Sequence, residues 1–102
     1  MKKRQRQPTH PGAILREDIL PEVKLSQTEL ANRLGVSRRT VNEIVNERRP
    51  VTTDMALRLA CIFNTTPSFW LNMQLAFNIY EALREHRNEY GRIKPLAVRQ
   101  QA

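Results

Sequence analysis

The residues of this chain best suited to chemistry are arginines and side-chain amides, gathered within a dozen positions. Ser37-Arg38-Arg39-Thr40 is followed by Asn42, Glu43 and Asn46, and then by Arg48 and Arg49. A guanidinium can donate two parallel hydrogen bonds to a guanine edge, and an asparagine amide can pair in the same two-point way with adenine. Arg38, Arg39, Thr40, Asn42 and Glu43 are therefore the candidate base-reading residues. Gln27, Ser37, Asn46, Arg48 and Arg49 are the candidates for holding phosphates. Catalytic chemistry has no comparable basis. His10 and His86 are the only histidines and lie far apart, and Cys61 is the one cysteine, so no metal site has ligand spacing. No phosphate-cradling glycine loop and no G-x-S-x-G turn occurs. Glu17, Asp18 and Glu22 read as a solvated acidic patch. No enzyme activity, cofactor or metal is expected.

For the arginines and amides to act together they must share one face of a held helix, and Gln27 to Asn46 supplies it. Ser26 with Glu29 forms the S-x-x-E capping pattern that opens a helix, and Leu30, Ala31 and Leu34 give it an apolar stripe. Gly35 can take the left-handed conformation that ends it. Ser37 caps a second helix whose apolar positions are Val41, Ile44 and Val45, leaving the polar residues and Asn46 outward. Two helices this short are not stable alone. A small residue at Ala31, a glycine in the turn and the plug of Val36, Val41 and Ile44 predict a helix-turn-helix, with the second helix shaped for a major groove.

Around this pair the chain predicts three more helices. Thr9, Pro11 and Gly12 open the first, Ile14, Leu15, Ile19 and Leu20 face inward, and Pro21 ends it. After Pro50, Thr53 caps a fourth helix with Asp54 in its first turn. Met55, Ala56, Leu59, Ala60, Ile62 and Phe63 form its core face, Cys61 is a small buried side chain, and Asn64 is its C-cap. Thr66 and Pro67 open a fifth helix running to about His86. On it Phe69, Met73, Ala76, Phe77, Tyr80 and Leu83 lie together, with Trp70 on one flank and Leu75 and Ile79 on the other. The polar remainder is Gln74, Asn78, Glu81 and Glu85. An apolar arc of roughly 200° is about twice what one core contact needs. Part of it is expected to cover the first and fourth helices and part to form a homodimer seam, with Phe69, Trp70, Met73, Phe77 and Tyr80 as contributors.

Length and charge agree with a DNA-binding assignment. The 102 residues suffice for one small domain, and the formal net charge of +7 favours a polyanionic partner. The excess is uneven: Lys2, Lys3, Arg4 and Arg6 mark a basic, flexible tail over residues 1–8, and Arg92, Lys94 and Arg99 mark another over 91–102. Residues 9–90 form the folded domain. Ile93, Leu96 and Val98 in the second tail fit either an extended arm added to a partner or a frayed end. No membrane span or signal peptide is expected, and a lone cysteine suits a reducing cytoplasm.

Three stretches carry a family resemblance: HPGAILRED at His10 to Asp18, LSQTELANRLGVSRRTVNEIVNERRPVT at Leu25 to Thr52, and MALRLACIFNTTPSFWLNMQ at Met55 to Gln74. The helix-turn-helix resembles that of the Cro/lambda-repressor-like (Xre) domains, and the longer span is similar to HigA/VapI-type antitoxins of bacterial toxin–antitoxin pairs. The resemblance implies an all-α, five-helix lambda-repressor-like fold. It further implies sequence-specific binding to double-stranded operator DNA, autorepression of the protein's own operon, and neutralisation of a HigB/RelE-like mRNA-cleaving toxin. A stand-alone Xre-family repressor with no toxin partner is the alternative. The Arg38-Arg39 pair and the long basic ends depart from many relatives, so operator specificity is not carried over.

Overall fold

The computed structural model describes residues 7–97, and every regular element among them is a helix. The expected tail residues Lys2, Lys3, Arg4, Arg6, Val98 and Arg99 lie outside the described residues. Helix α1 covers residues 11–23, assembled from an α-helical turn Pro11–Ile14, a π-helical stretch Leu15–Ile19 and a final turn Leu20–Val23. It is followed by α2 (Gln27–Leu34), α3 (Arg38–Val45), α4 (Thr53–Phe63) and α5 (Pro67–Gly91). No helix among the described residues is long and apolar enough to cross a membrane.

Local chemistry sets most of the boundaries. Ser26 Oγ accepts the Glu29 N–H at 3.0 Å while the Glu29 carboxylate accepts the Ser26 N–H at 2.8 Å, so both halves of the capping box are made. Gly35 and Asn64 end α2 and α4 in left-handed conformation, with φ of 75° and 55°. Thr66 caps α5 with Pro67 behind it. Three boundaries differ from expectation. The N-cap of α4 is Thr52, whose hydroxyl accepts the Met55 N–H at 3.2 Å; Thr53 is already helical. Pro21 does not end α1: the Leu20 N–H reaches back five residues to the Leu15 carbonyl, and the proline falls in the first turn after this wide loop, where its missing donor is tolerated. The helix ends instead at Lys24, with φ of 58°. Near His86, α5 is interrupted (φ −127°, ψ 19°) and then continues to Gly91, so the expected terminus is a kink.

The core is one cluster to which all five helices contribute, including Leu15, Leu30, Val41, Val45, Leu59 and Trp70. Helix α2 packs on α3, α4 on α5, and α1 reaches both α3 and α5. Cys61 is exposed, a correction: the inward stripe of α4 runs through Met55, Ala56, Leu59 and Ala60, and one further step of about 100° turns residue 61 outward. Two corrections concern α5. Trp70 is wholly buried, its indole N–H donating to Thr65 Oγ1 at 2.8 Å, so its ring belongs to the chain's own core and not to a seam with another chain. Gln74 is buried rather than polar surface. Its Oε1 accepts the Val51 N–H at 2.8 Å and its amide donates to Asn78 at 3.0 Å, tying the loop after α3 to α5.

The start of α1 is held hard against the end of α3. A Cβ placed on Gly12 would lie 1.8 Å from the Ile44 carbonyl oxygen, so only a glycine permits this approach. His10 caps α1 with Nδ1 accepting the Gly12 N–H at 2.9 Å, its ring edge-on to Phe77 at 4.9 Å. Burial holds its pKa below the ordinary 6.5, against the pull of Glu47 and with the help of Arg16. We expect Gly12→Ala to destabilise the fold by about 1–3 kcal/mol through forced displacement of α1 from α3, read as a lower urea midpoint with unchanged slope.

Candidate nucleic-acid interface

Helix α3 has one wet face and one dry one because its apolar residues return every three or four positions. Val41, Ile44 and Val45 are buried, and Arg38 and Arg39 open the helix in solvent. Its start is set by Ser37, whose Oγ accepts the Thr40 N–H at 3.1 Å and shares a 2.9 Å hydrogen bond with the Thr40 hydroxyl. Its end is set by Asn46, whose amide donates to the Asn42 carbonyl at 2.9 Å. Glu47 then turns the chain through a left-handed φ of 63°, and the Arg48 N–H closes back on the Glu43 carbonyl at 2.8 Å. This turn brings the Arg48–Arg49 loop back beside α3.

The polar side chains of this face are mostly organised by one another. Asn42 Nδ2 donates to Gln27 Oε1 at 3.0 Å, joining the first residue of α2 to the middle of α3. Glu43 receives Arg39 Nε on one oxygen at 3.1 Å, and Arg49 Nε and NH2 on the other at 2.9 and 2.7 Å. Arg49, then Arg39, hold the Glu43 carboxyl below its ordinary pKa. Arg38 and Arg48 are exposed and pair with no group among the described residues.

The structure thus links Gln27 to Asn42, Asn42 to Asn46, Ser37 to Thr40, and Arg39 to Glu43 to Arg49. A guanidinium, an amide or a carboxylate on such a face can hydrogen-bond base edges, and arginines in the flanking loop can meet phosphates. Among the described residues no group of acids, histidines and cysteines has the spacing of a metal site. Arg16 was missed by sequence reasoning. Its guanidinium donates to the Val45 carbonyl at the end of α3 and pairs with Glu47 at 3.2 Å, anchoring α3 from α1. No local signal could reveal it, because the partners are 29 and 31 positions away.

The five residues expected at a seam are divided. Trp70 is core, Met73 packs against the core and Phe77 lies half-buried beneath His10, while Phe69 is 44% exposed and Tyr80 half-buried. The most open apolar side chains of the α5 shaft are Leu75 and Ile79, at 58% and 52%, which continue a stripe from Leu71 at four-residue spacing. That spacing was legible in the sequence.

Residues 15–70 match the family model described as Helix-turn-helix. The chain is 43% identical over 99 residues to the uncharacterized HTH-type transcriptional regulator YbaQ of Escherichia coli strain K12, covering 95% of this chain and 88% of that protein. Among solved structures it is similar to antitoxin GraA in complex with its operator, at 44% identity and a TM-score of 0.84, covering 96% of this chain and all of the other. It is also similar to the Pseudomonas aeruginosa antitoxin HigA with higBA promoter, at 41% identity and a TM-score of 0.83, over 88% of this chain and 99% of that one.

The paired arginines make the Glu43 carboxyl a direct reporter of this face. An NMR titration should find it ionising below the ordinary 4.5, and replacing both Arg49 and Arg39 by alanine should return it toward that value. Because the folded pKa is depressed, the pairing stabilises the fold above the ordinary value and is lost as pH falls through the depressed one.

Proposed function

The chain belongs to the Xre-type helix-turn-helix family that includes antitoxin HigA, and from that premise we propose that it is the antitoxin of a type II toxin–antitoxin pair. It binds operator DNA as a homodimer, represses its own operon and neutralises a RelE-like mRNA-cleaving toxin. The reading is of a non-enzymatic protein of the cytoplasm, where the DNA is. The observation that carries it is the exposed Arg38–Arg39 start of α3 with the half-buried Asn42 beside it, in a chain alike over nearly its full length to antitoxins solved with their operator or promoter.

In this reading the start of α3 enters the major groove. Arg38 and Arg39 address guanine edges, Thr40, Asn42 and Glu43 complete the base-reading set, and Gln27, Ser37, Asn46, Arg48 and Arg49 address the backbone. One recognition helix offers few base contacts, so two must act together about 34–36 Å apart. The Leu71, Leu75 and Ile79 stripe of α5 supports an isologous seam for that purpose. Phe69 and Tyr80 remain candidates at its margins, whereas Trp70 is replaced in that role by Leu75 and Ile79. A stand-alone repressor is the second reading, favoured by the likeness to YbaQ, which is named as a transcriptional regulator.

Arg38→Ala should weaken operator binding by about 1–3 kcal/mol and relax preference at particular base pairs. Arg48→Ala should instead weaken all sequences alike and reduce the salt slope by about one. Anisotropy titrations at several salt concentrations separate the two. Placing a charge in the seam, Ile79→Glu, should leave an unpaired buried carboxylate in the dimer and give a folded monomer in sedimentation, with operator affinity reduced. Co-expression decides between antitoxin and solitary repressor. The intact protein should rescue cells from the product of an adjacent toxin gene, and should still do so with Arg38 and Arg39 replaced. Failure to bind or counteract that product would leave the solitary repressor.

A further inference from the structure

Glu43 lies in the middle of the DNA-facing surface, where a negative charge opposes the expected partner. Its side chain is 24% exposed, against 84% for Arg39 and 45% for Arg49, which close over it from two sides. Arg39 comes from one turn earlier on α3, and Arg49 from the loop that folds back after Glu47. Three N–H donors converge on the two carboxylate oxygens at 2.7 to 3.1 Å. A carboxylate offers a guanidinium the same charged, two-oxygen acceptor edge that a phosphate does. Two of the four outward arginines of this surface are therefore already engaged by an internal anion, while Arg38 and Arg48 are not.

We propose that Glu43 is a specificity-determining residue that withholds Arg39 and Arg49 from DNA phosphates until an operator offers base-edge contacts in exchange. Non-operator DNA is held almost entirely through phosphates, and each arginine that neutralises one adds to affinity and salt dependence. Against such DNA, Arg39 and Arg49 must break charge-assisted bonds to Glu43 merely to gain equivalent ones, so the exchange yields little. At the operator, Arg39 can donate two bonds to a guanine edge and the freed Glu43 can accept from a cytosine amino group. The carboxylate thereby lowers affinity for the wrong sequence more than for the right one, which is the requirement for discrimination. The inference rests on the operator-binding reading above.

The test compares wild type, Glu43→Gln and Glu22→Gln, the last removing the same charge from an exposed side chain of α1 that pairs with no group among the described residues. Each is titrated by anisotropy against the duplex the wild type selects from random sequence and against a scrambled duplex, across a salt series. Glu43→Gln should bind the scrambled duplex more tightly, with a log–log salt slope steeper by up to about 1.8 per subunit for two released arginines. Its preference for the selected duplex should fall about tenfold, the scale of one lost base contact. In the free protein, the arginine Nε–H resonances of Arg39 and Arg49 should be resolved in wild type and collapse to solvent-like positions in Glu43→Gln, with an unchanged circular dichroism spectrum. A scrambled-duplex slope that moves no more in Glu43→Gln than in Glu22→Gln would overturn the proposal, as would solvent-like Arg39 and Arg49 resonances in wild type. A wild type that selects no sequence and binds neither duplex would count against the operator-binding reading itself.

Discussion

The arrangement depends on holding an eight-residue helix still. Helix α3 is too short to be stable by its own hydrogen bonds, so its position is set by what its inner stripe buries against and by what grips its end. Val41, Ile44 and Val45 supply the burial. The grip is unusually close: Gly12 stands where no side chain fits against the Ile44 carbonyl, and Arg16 donates to the Val45 carbonyl beside it. Carbonyls at a helix end have no intrahelical partner, so this contact satisfies one of them while locking α1 to α3. The outer surface of α3 is positioned by how its reverse side is held.

The outer face of the same helix follows another rule. Its amides and charges are satisfied in pairs, Gln27 with Asn42 and Glu43 with two arginines, so the groups proposed to address DNA already have defined directions. Ordering long side chains beforehand reduces what binding must later cost in rotamer freedom. In the proposed reading, DNA must displace contacts already made, which favours partners offering more than a phosphate.

Helix α5 carries two faces with separate tasks. Inward, Trp70 fills the core and Gln74 fastens the Val51 backbone, so the loop that leaves the recognition helix is tied to α5. Outward, Leu75 and Ile79 are open and continue a stripe that starts at the half-buried Leu71. The loop after α3 is therefore fastened to α5 through one buried amide. In the proposed dimer, that link relates the spacing of two recognition helices to the packing of the seam.

Much of this was legible in the chain itself, for reasons that are local. Caps at Ser26, Ser37 and Thr66, the left-handed ends at Gly35 and Asn64, and the inner stripe of α3 depend on residues within four positions of one another. The arginine and asparagine face of α3 follows from the same periodicity. What remained hidden depends on partners distant in sequence or on which half of a broad apolar arc meets the core. Cys61 turned outward and Gln74 inward because neighbouring helices, not their own, decide which arc is covered. Trp70 and Leu75 both belong to the apolar arc of α5, and the placement of α4 and α1 against it separates core from surface between them. Pro21 continued a helix because a π turn gave its ring room, a register that residue type alone does not specify. Local spacing determined which elements form and which face of α3 is polar. Tertiary packing decided which side chains are buried, because burial is a property of what lies opposite.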